Sequence, residues 1–172
     1  MHKKICFISG SPRKNGNSEK IISFLSNGKD CEIIKPHIID FHFCTGCEYC
    51  RKEKKCIYED AFMKNAKKIL IADTLVIVSP IYFYHLPSPL KKFIDRFQFF
   101  FHHPVKREKR KAFIILYGAT NGKKLFDGAI LTLNYVLKYI SYHIEKTYLF
   151  KNICKIENTL KNLDDLKEEL WK

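Results

Sequence analysis

Hydrophobic and polar positions along the chain alternate between two kinds of segment. Short unbroken apolar runs occur at Lys4-Ile5-Cys6-Phe7-Ile8, in "TLVIVSP" from Thr74 and in "KAFIILYGAT" from Lys111. Runs of this length, bounded by turn residues, predict strands covered on both faces. Between them the spacing becomes that of a helix. "SEKIISFLSNG" sets Ile21, Ile22 and Leu25 on one side and stops at Asn27-Gly28, a pair suited to a left-handed cap. "EDAFMKNAKKILIAD" aligns Phe62, Ala66, Ile69 and Leu70. "HLPSPLKKFIDRF" aligns Leu90, Phe93, Ile94 and Phe97 behind Ser88 as N-cap and Pro89 at the first helical position. "KKLFDGAILTLNYVLKYI" carries Phe126, Ala129, Ile130, Leu133, Leu137 and Ile140, and "IENTLKNLDDLKEEL" repeats leucine at helical spacing.

Two less apolar segments complete the pattern. "EIIKPHIID" at 32–40 predicts a strand whose Pro36 confines it to a sheet edge, and the alternating "HIEKTYLF" predicts a last strand. Five strands then alternate with five helices in one domain over residues 1–172. The expected fold is α/β: an open, doubly wound parallel sheet of five strands in order 2-1-3-4-5, with helices on both faces. Ligands of such sheets sit beyond the carboxyl ends of the strands at the switch point, which directs attention to 9–18, 79–87 and 117–122.

Composition narrows the class. A chain of 172 residues, 46% hydrophobic, has a core and is not disordered. Its apolar runs are too short for a bilayer span or a signal peptide, so a cytoplasmic protein without a membrane partner is expected. Net charge is +13, from 31 basic against 18 acidic residues, which favours anionic partners. The lysines are scattered, however. The densest stretch, "KREKRK" at 106–111, is broken by Glu108 and reads as a solvated loop, so no nucleic-acid partner is expected. The stretch "RFQFFFHH" extends the helix after the third strand, with Phe97, Phe99, Phe100 and Phe101 pointing around more than one face. A homo-oligomer, dimer or tetramer, is expected to cover them.

The loop after the first strand, "SGSPRKNGNS", is neither a Walker loop, which needs four residues between its glycines, nor a dinucleotide G-x-G-x-x-G. It does combine the hydroxyls of Ser9, Ser11 and Ser18, the Asn17 amide, Arg13, Lys14 and a helix N-terminus. Backbone N–H groups and the helix dipole make that end suited to a dianionic phosphate.

Four of seven cysteines fall in "CTGCEYCRKEKKC" at 44–56, within a Cys-rich loop at 41–60. An odd count and a reducing compartment favour ligation or redox chemistry over disulfides. Cys44, Cys47, Cys50 and Cys56 can ligate a cubane cluster or a zinc ion, or remain uncommitted thiols. Zinc sites commonly use two separated Cys-x2-Cys knuckles, and the bacterial ferredoxin run has another last spacing. Gly46 allows the sharp turn a wrapping loop needs. Lys52, Lys54 and Lys55 are expected to lower the thiol pKa values.

The phosphate-type loop, "SPIYFYHLPSPLKKFIDRF" after the third strand, and the cysteine stretch between them resemble the flavodoxin-like NAD(P)H-dependent FMN reductases, especially the iron–sulfur flavoprotein branch. The resemblance covers roughly the first 120 residues. It implies that Ser9, Ser11, Arg13, Asn17 and Ser18 hold the FMN phosphate. Pro80, Ile81, Tyr82 and Phe83 would pack along the isoalloxazine ring, and Gly118, Ala119 and Thr120 would offer backbone groups to its pyrimidine edge. It implies an oxidoreductase passing electrons from NAD(P)H to a small-molecule or protein acceptor, with a possible 4Fe–4S cluster on the four cysteines. The alternative is a non-enzymatic electron-transfer flavoprotein serving a protein partner. The flavin carries the chemistry, so no catalytic side chain is expected.

Overall fold

The three apolar runs form the middle of the sheet. The computed structural model describes residues 3–172, with strands β1 (Ile5–Ser9), β2 (Glu32–Ile34), β3 (Thr74–Pro80), β4 (Arg110–Tyr117) and β5 (Tyr142–Phe150). They pair in the order β2-β1-β3-β4-β5, every pair parallel. The helices are α1 (Asn17–Ser26), α2 (Tyr49–Glu53), α3 (Ala61–Ile71), α4 (Ser88–Asp95), α5 (Gln98–His102), α6 (Asp127–Tyr139) and α7 (Asp164–Trp171). This is the flavodoxin-like topology expected from the sequence.

Strand period and helix period agree on where the core lies. Cys6, Ile8, Leu75, Ile77, Ala112, Ile114 and Leu116 face a layer built from α3, α4 and α6, where they meet Phe62, Ile69, Leu90, Phe93 and Leu133. The intervening Ile5, Phe7, Val76, Val78, Phe113 and Ile115 face α1 and α7 through Ile21, Leu25, Leu166 and Leu170. Burying each such Phe, Leu or Ile contributes about 1.5–3 kcal/mol, which explains why the middle positions of β1, β3 and β4 are apolar. The α1 stop is as expected: Asn27 is left-handed (φ 50°) and its N–H returns to the Ser23 carbonyl.

Five expectations need correction. The second strand is three residues long, because Pro36 opens a 3-10 turn over Pro36–Ile38 rather than continuing an edge strand. The cysteine segment is not all loop, since α2 lies inside it. The helix after β3 breaks near Arg96, and α5 is a separate helix. Proline sets the start of α4 one residue earlier than expected, with Pro87 as N-cap and Ser88 already helical. The basic run at 106–111 is only partly a solvated loop, because Arg110 begins β4 and is buried. Arg110 donates to the carbonyls of Leu70 (2.8 Å), Ala72 (2.6 Å) and Ile140 (2.9 Å), tying the end of α3 to the end of α6.

The phenylalanine cluster is also better housed than expected. Phe97 and Phe100 are buried within the chain, Phe99 is half-buried, and Phe101 is the one exposed ring of the four. Phe93, Phe97, Phe100, Phe62 and Phe41 pack mostly edge to face with centroids 5.1–6.3 Å apart. Among the described residues no helix is long and apolar enough to cross a membrane.

Candidate cofactor site

Three loops meet at the carboxyl ends of β1, β3 and β4. Gly10, directly after β1, donates its N–H to the Val78 carbonyl (2.8 Å), so the first loop leaves the sheet tied to β3. Ser9, Ser11 and Ser18 are buried, whereas Arg13 is exposed. The Ser11 hydroxyl accepts from the Arg13 N–H (3.2 Å), curling the loop beneath α1. Gly16 caps α1 without a side-chain bond, so the first-turn amides stay available to an anion. The Ser9 hydroxyl is buried without a protein partner among the described residues. An orphaned hydroxyl beside a helix N-terminus is costly unless a ligand satisfies it, and a phosphate ester fits that need.

Not every expected residue points the same way. Ser18 donates to the Val78 carbonyl (3.4 Å) and shares a hydrogen bond with the Tyr117 phenol (3.0 Å), which makes it a brace between loop and sheet. The Asn17 amide reaches the Cys154 carbonyl at 3.4 Å. Tyr117 is a member of this group that sequence reasoning missed, because it reads as one more apolar residue of β4. Burial pushes its phenol above the ordinary value, partly offset by bonds with Ser18 and Ser11, so it remains a proton donor.

The loop after β3 supplies the aromatic wall. Pro80 ends β3, and Ile81 is buried with its N–H on the Tyr117 carbonyl (2.8 Å). Tyr82 and His85 exchange backbone bonds of 2.9 and 3.0 Å around a tight turn at Phe83 and Tyr84. Both turn residues have positive φ, 47° and 63°, and Phe83 is fully exposed. In the third loop the Gly118 N–H and carbonyl are used by Phe150 and Ile153, both at 2.9 Å. The Thr120 carbonyl accepts from the Asn152 N–H (3.3 Å), which leaves the Ala119 backbone and the Thr120 N–H, on two exposed residues, to face outward. The four loops at 10–16, 81–87, 118–126 and 151–156 contain Arg13, Lys14, Lys123, Lys124, Lys151 and Lys155 and no carboxylate. The mouth is therefore electropositive, as an anionic cofactor requires.

The four cysteines lie apart from these loops and line one cavity of about 650 Å³ together with Arg96, Phe99 and His102. All four are free thiols. Gly46 has φ 67°, the sharp turn its position called for. Burial first, then Cys56, Cys44 and Cys47, push the Cys50 thiol above its ordinary value, opposite to the effect expected of the neighbouring lysines, which lie exposed. Four thiols that repel one another on ionising suit a cationic centre. Among the described residues no three His, Cys, Asp or Glu side chains are gathered into a cage for a metal ion. Zinc would draw its four sulfurs onto bonds of about 2.3 Å. A cubane likewise takes four thiolates, one on each iron corner, so the donor set fits either centre.

Comparisons with known proteins follow the same lines. Residues 3–138 match the family model described as NADPH-dependent FMN reductase. An iron–sulfur flavoprotein of Archaeoglobus fulgidus is 30% identical over 137 residues, 76% of this chain and 60% of that protein. One of Methanocaldococcus jannaschii is 34% identical over 98 residues, 54% of this chain and 51% of that protein. The chain thus spans about half to three-fifths of the length of these curated relatives. In fold it is similar to an FMN-dependent NADH-azoreductase of Bacillus anthracis solved with FMN (TM-score 0.66, 15% identity, 99% of this chain and 100% of that one). It is likewise similar to the Trp repressor binding protein of Bacillus subtilis (TM-score 0.65, 19% identity, 98% of both chains). By the length of the matched model, the chain belongs to the NADPH-dependent FMN reductase family, and within it is similar to the iron–sulfur flavoproteins.

Proposed function

We propose that this chain binds FMN at the carboxyl ends of β1, β3 and β4 and passes electrons from NAD(P)H to a small-molecule or protein acceptor. The observation that carries the reading is the first loop: buried serines, one of them without a partner, beneath the open N-terminus of α1. FMN, when bound, supplies hydride acceptance at its ring; the protein supplies orientation. Ser9, Ser11, Arg13 and the first amides of α1 bind the phosphate, with Asn17 and Ser18 bracing the loop. Pro80, Ile81, Tyr82 and Phe83 form the wall along the ring, and Ala119 and Thr120, following Gly118, meet its polar edge. The nicotinamide stacks on the open ring face beside Tyr82–His85. This domain works in the cytoplasm within a homodimer or tetramer, without nucleic-acid or membrane partners.

Heat release and chromatography should recover FMN and not FAD, since one terminal phosphate loop is present. Anaerobic mixing with NADPH or NADH should bleach the flavin. Recovery of FAD, or of no flavin after reconstitution, rules the reading out.

A second reading is favoured by the shared cavity of Cys44, Cys47, Cys50 and Cys56: a 4Fe–4S cluster there, serving electron transfer to a protein partner. Protein reconstituted anaerobically should then be brown, with about four iron and four sulfide per chain. A flavin reduced by dithionite but by neither nicotinamide selects this reading over the first.

A further inference from the structure

The cysteine loop is held by a side chain from another element. Arg96 follows α4 and is 2% exposed. One guanidinium nitrogen donates to the His42 carbonyl (2.8 Å) and to the Asp60 carboxylate (2.7 Å). The other donates to the Cys56 sulfur (3.4 Å), the Tyr58 carbonyl (3.5 Å) and the second Asp60 oxygen (3.3 Å). His42 and Tyr58 each lie two residues beyond an end of the cysteine stretch, and their rings stack at 4.5 Å. One buried group therefore closes both ends of a loop that carries four thiols. The middle of the loop is pinned separately, by a hydrogen bond between His103 and the Cys50 carbonyl (2.8 Å).

A guanidinium is expensive to bury. Asp60 balances its charge, so the Cys56 contact is not needed for neutrality. The terminal N–H groups serve the carboxylate and the two carbonyls, so the Cys56 sulfur shares an N–H with the Tyr58 carbonyl, while Nε has no partner among the described residues. Donors to ligating sulfurs withdraw electron density from a cluster and favour its reduced form.

We infer that Arg96 is a positioning residue for the four-sulfur centre, clasping the loop between His42 and Tyr58 and raising the reduction potential of the cluster through its bond to the Cys56 sulfur. This rests on the cluster proposed above. The clasp prepares the loop before metal arrives, whereas the sulfur bond acts only on the loaded centre.

The test uses the full chain, wild type and Arg96→Gln, reconstituted anaerobically with ferrous iron and sulfide. Because Arg96→Gln strands Asp60, the pair Arg96→Gln with Asp60→Asn serves as the variant with no lone buried charge. Iron content, the midpoint potential of the cluster and amide hydrogen exchange over 43–58 in metal-free protein are measured. The expected result is a cluster potential shifted negative in both variants and faster exchange over the loop, with FMN binding unchanged. Wild-type potential and wild-type exchange in a variant that holds four iron overturn the inference and leave the cluster standing. A wild-type chain that takes up no iron removes the cluster itself, and the role of Arg96 with it.

Discussion

Gly10 is the residue where the sheet hands over to the phosphate loop, and Gly10→Ala tests whether that junction is as tight as described. A Cβ built there lies 2.5 Å from the Ser79 hydroxyl oxygen, 2.7 Å from Ser79 Cβ and 2.7 Å from a Leu90 methyl. Restoring an ordinary carbon contact of about 3.5 Å requires the end of β1 and β3 to part by about 1 Å. The Gly10–Val78 bond opposes that movement. Overpacking of this kind costs about 1–3 kcal/mol. With a urea dependence of about 2 kcal/mol per molar, the unfolding midpoint falls by roughly 0.5–1.5 M. The loop moves with Gly10, so FMN should bind at least about tenfold more weakly for each 1.4 kcal/mol lost at the phosphate. Adding Ser79→Ala removes the hydroxyl but neither the Cβ at position 79 nor Leu90, and should recover part of the loss, a coupling that a double-mutant cycle reads directly. A Gly10→Ala chain with wild-type urea midpoint and wild-type flavin affinity would falsify the packing described for this junction.

Other outcomes follow from single residues. Arg13→Ala should weaken FMN by about 1.5–3 kcal/mol, measured by flavin fluorescence, if its guanidinium meets the phosphate; unchanged affinity removes Arg13 from the site. Arg110→Met should leave the Ile140 carbonyl without its side-chain donor, at about 1–3 kcal/mol, while Arg107 still serves Leu70 and the Tyr142 hydroxyl still serves Ala72, so a chain that melts like wild type would contradict that network. Lys35, bonded to Glu19, holds that carboxyl below its ordinary value. The stability it contributes is therefore full above the unfolded pKa of about 4.3 and lost as pH falls through the lower folded value. Glu19→Gln should flatten that acid limb in a pH series of urea melts, and an unaltered limb refutes the assignment. Phe101, Leu131 and Tyr135 remain exposed. Light scattering at micromolar concentration should show at least a dimer, which Leu131→Lys with Tyr135→Lys should weaken; a strict monomer rules out the assembly.

The parts of this molecule legible in its sequence are those where one apolar face decides the structure. β1, β3 and β4 were evident because both their faces are covered, and Asn27 because a left-handed cap needs few neighbours. The break between α4 and α5 was hidden because Phe93, Phe97 and Phe100 keep their spacing through it. Buried charge was the other blind spot. Arg110 reads as part of a solvated loop and Arg96 as nothing in particular, yet each donates to carbonyls from elements distant in sequence, which periodicity does not register. Arg96 left one trace: it lies three residues after Phe93 and four before Phe100, on the buried side of its segment. Tyr117 left none, since its phenol matters only through Ser18 and Ser11, a hundred residues earlier.

The turn at Phe83-Tyr84 carries a lesson for anyone redesigning this chain. Two successive left-handed residues with bulky side chains cost of the order of 1–3 kcal/mol each, and Asn-Gly is what local energetics favour there. A stability-driven redesign would make that replacement first and gain a firmer scaffold. It would also delete the one fully exposed aromatic ring at the mouth of the cleft. A sequence that keeps Phe and Tyr against the preference of its own backbone is trading thermal margin for a surface, so thermostabilised variants of this protein should be screened for turnover before they are screened for melting temperature.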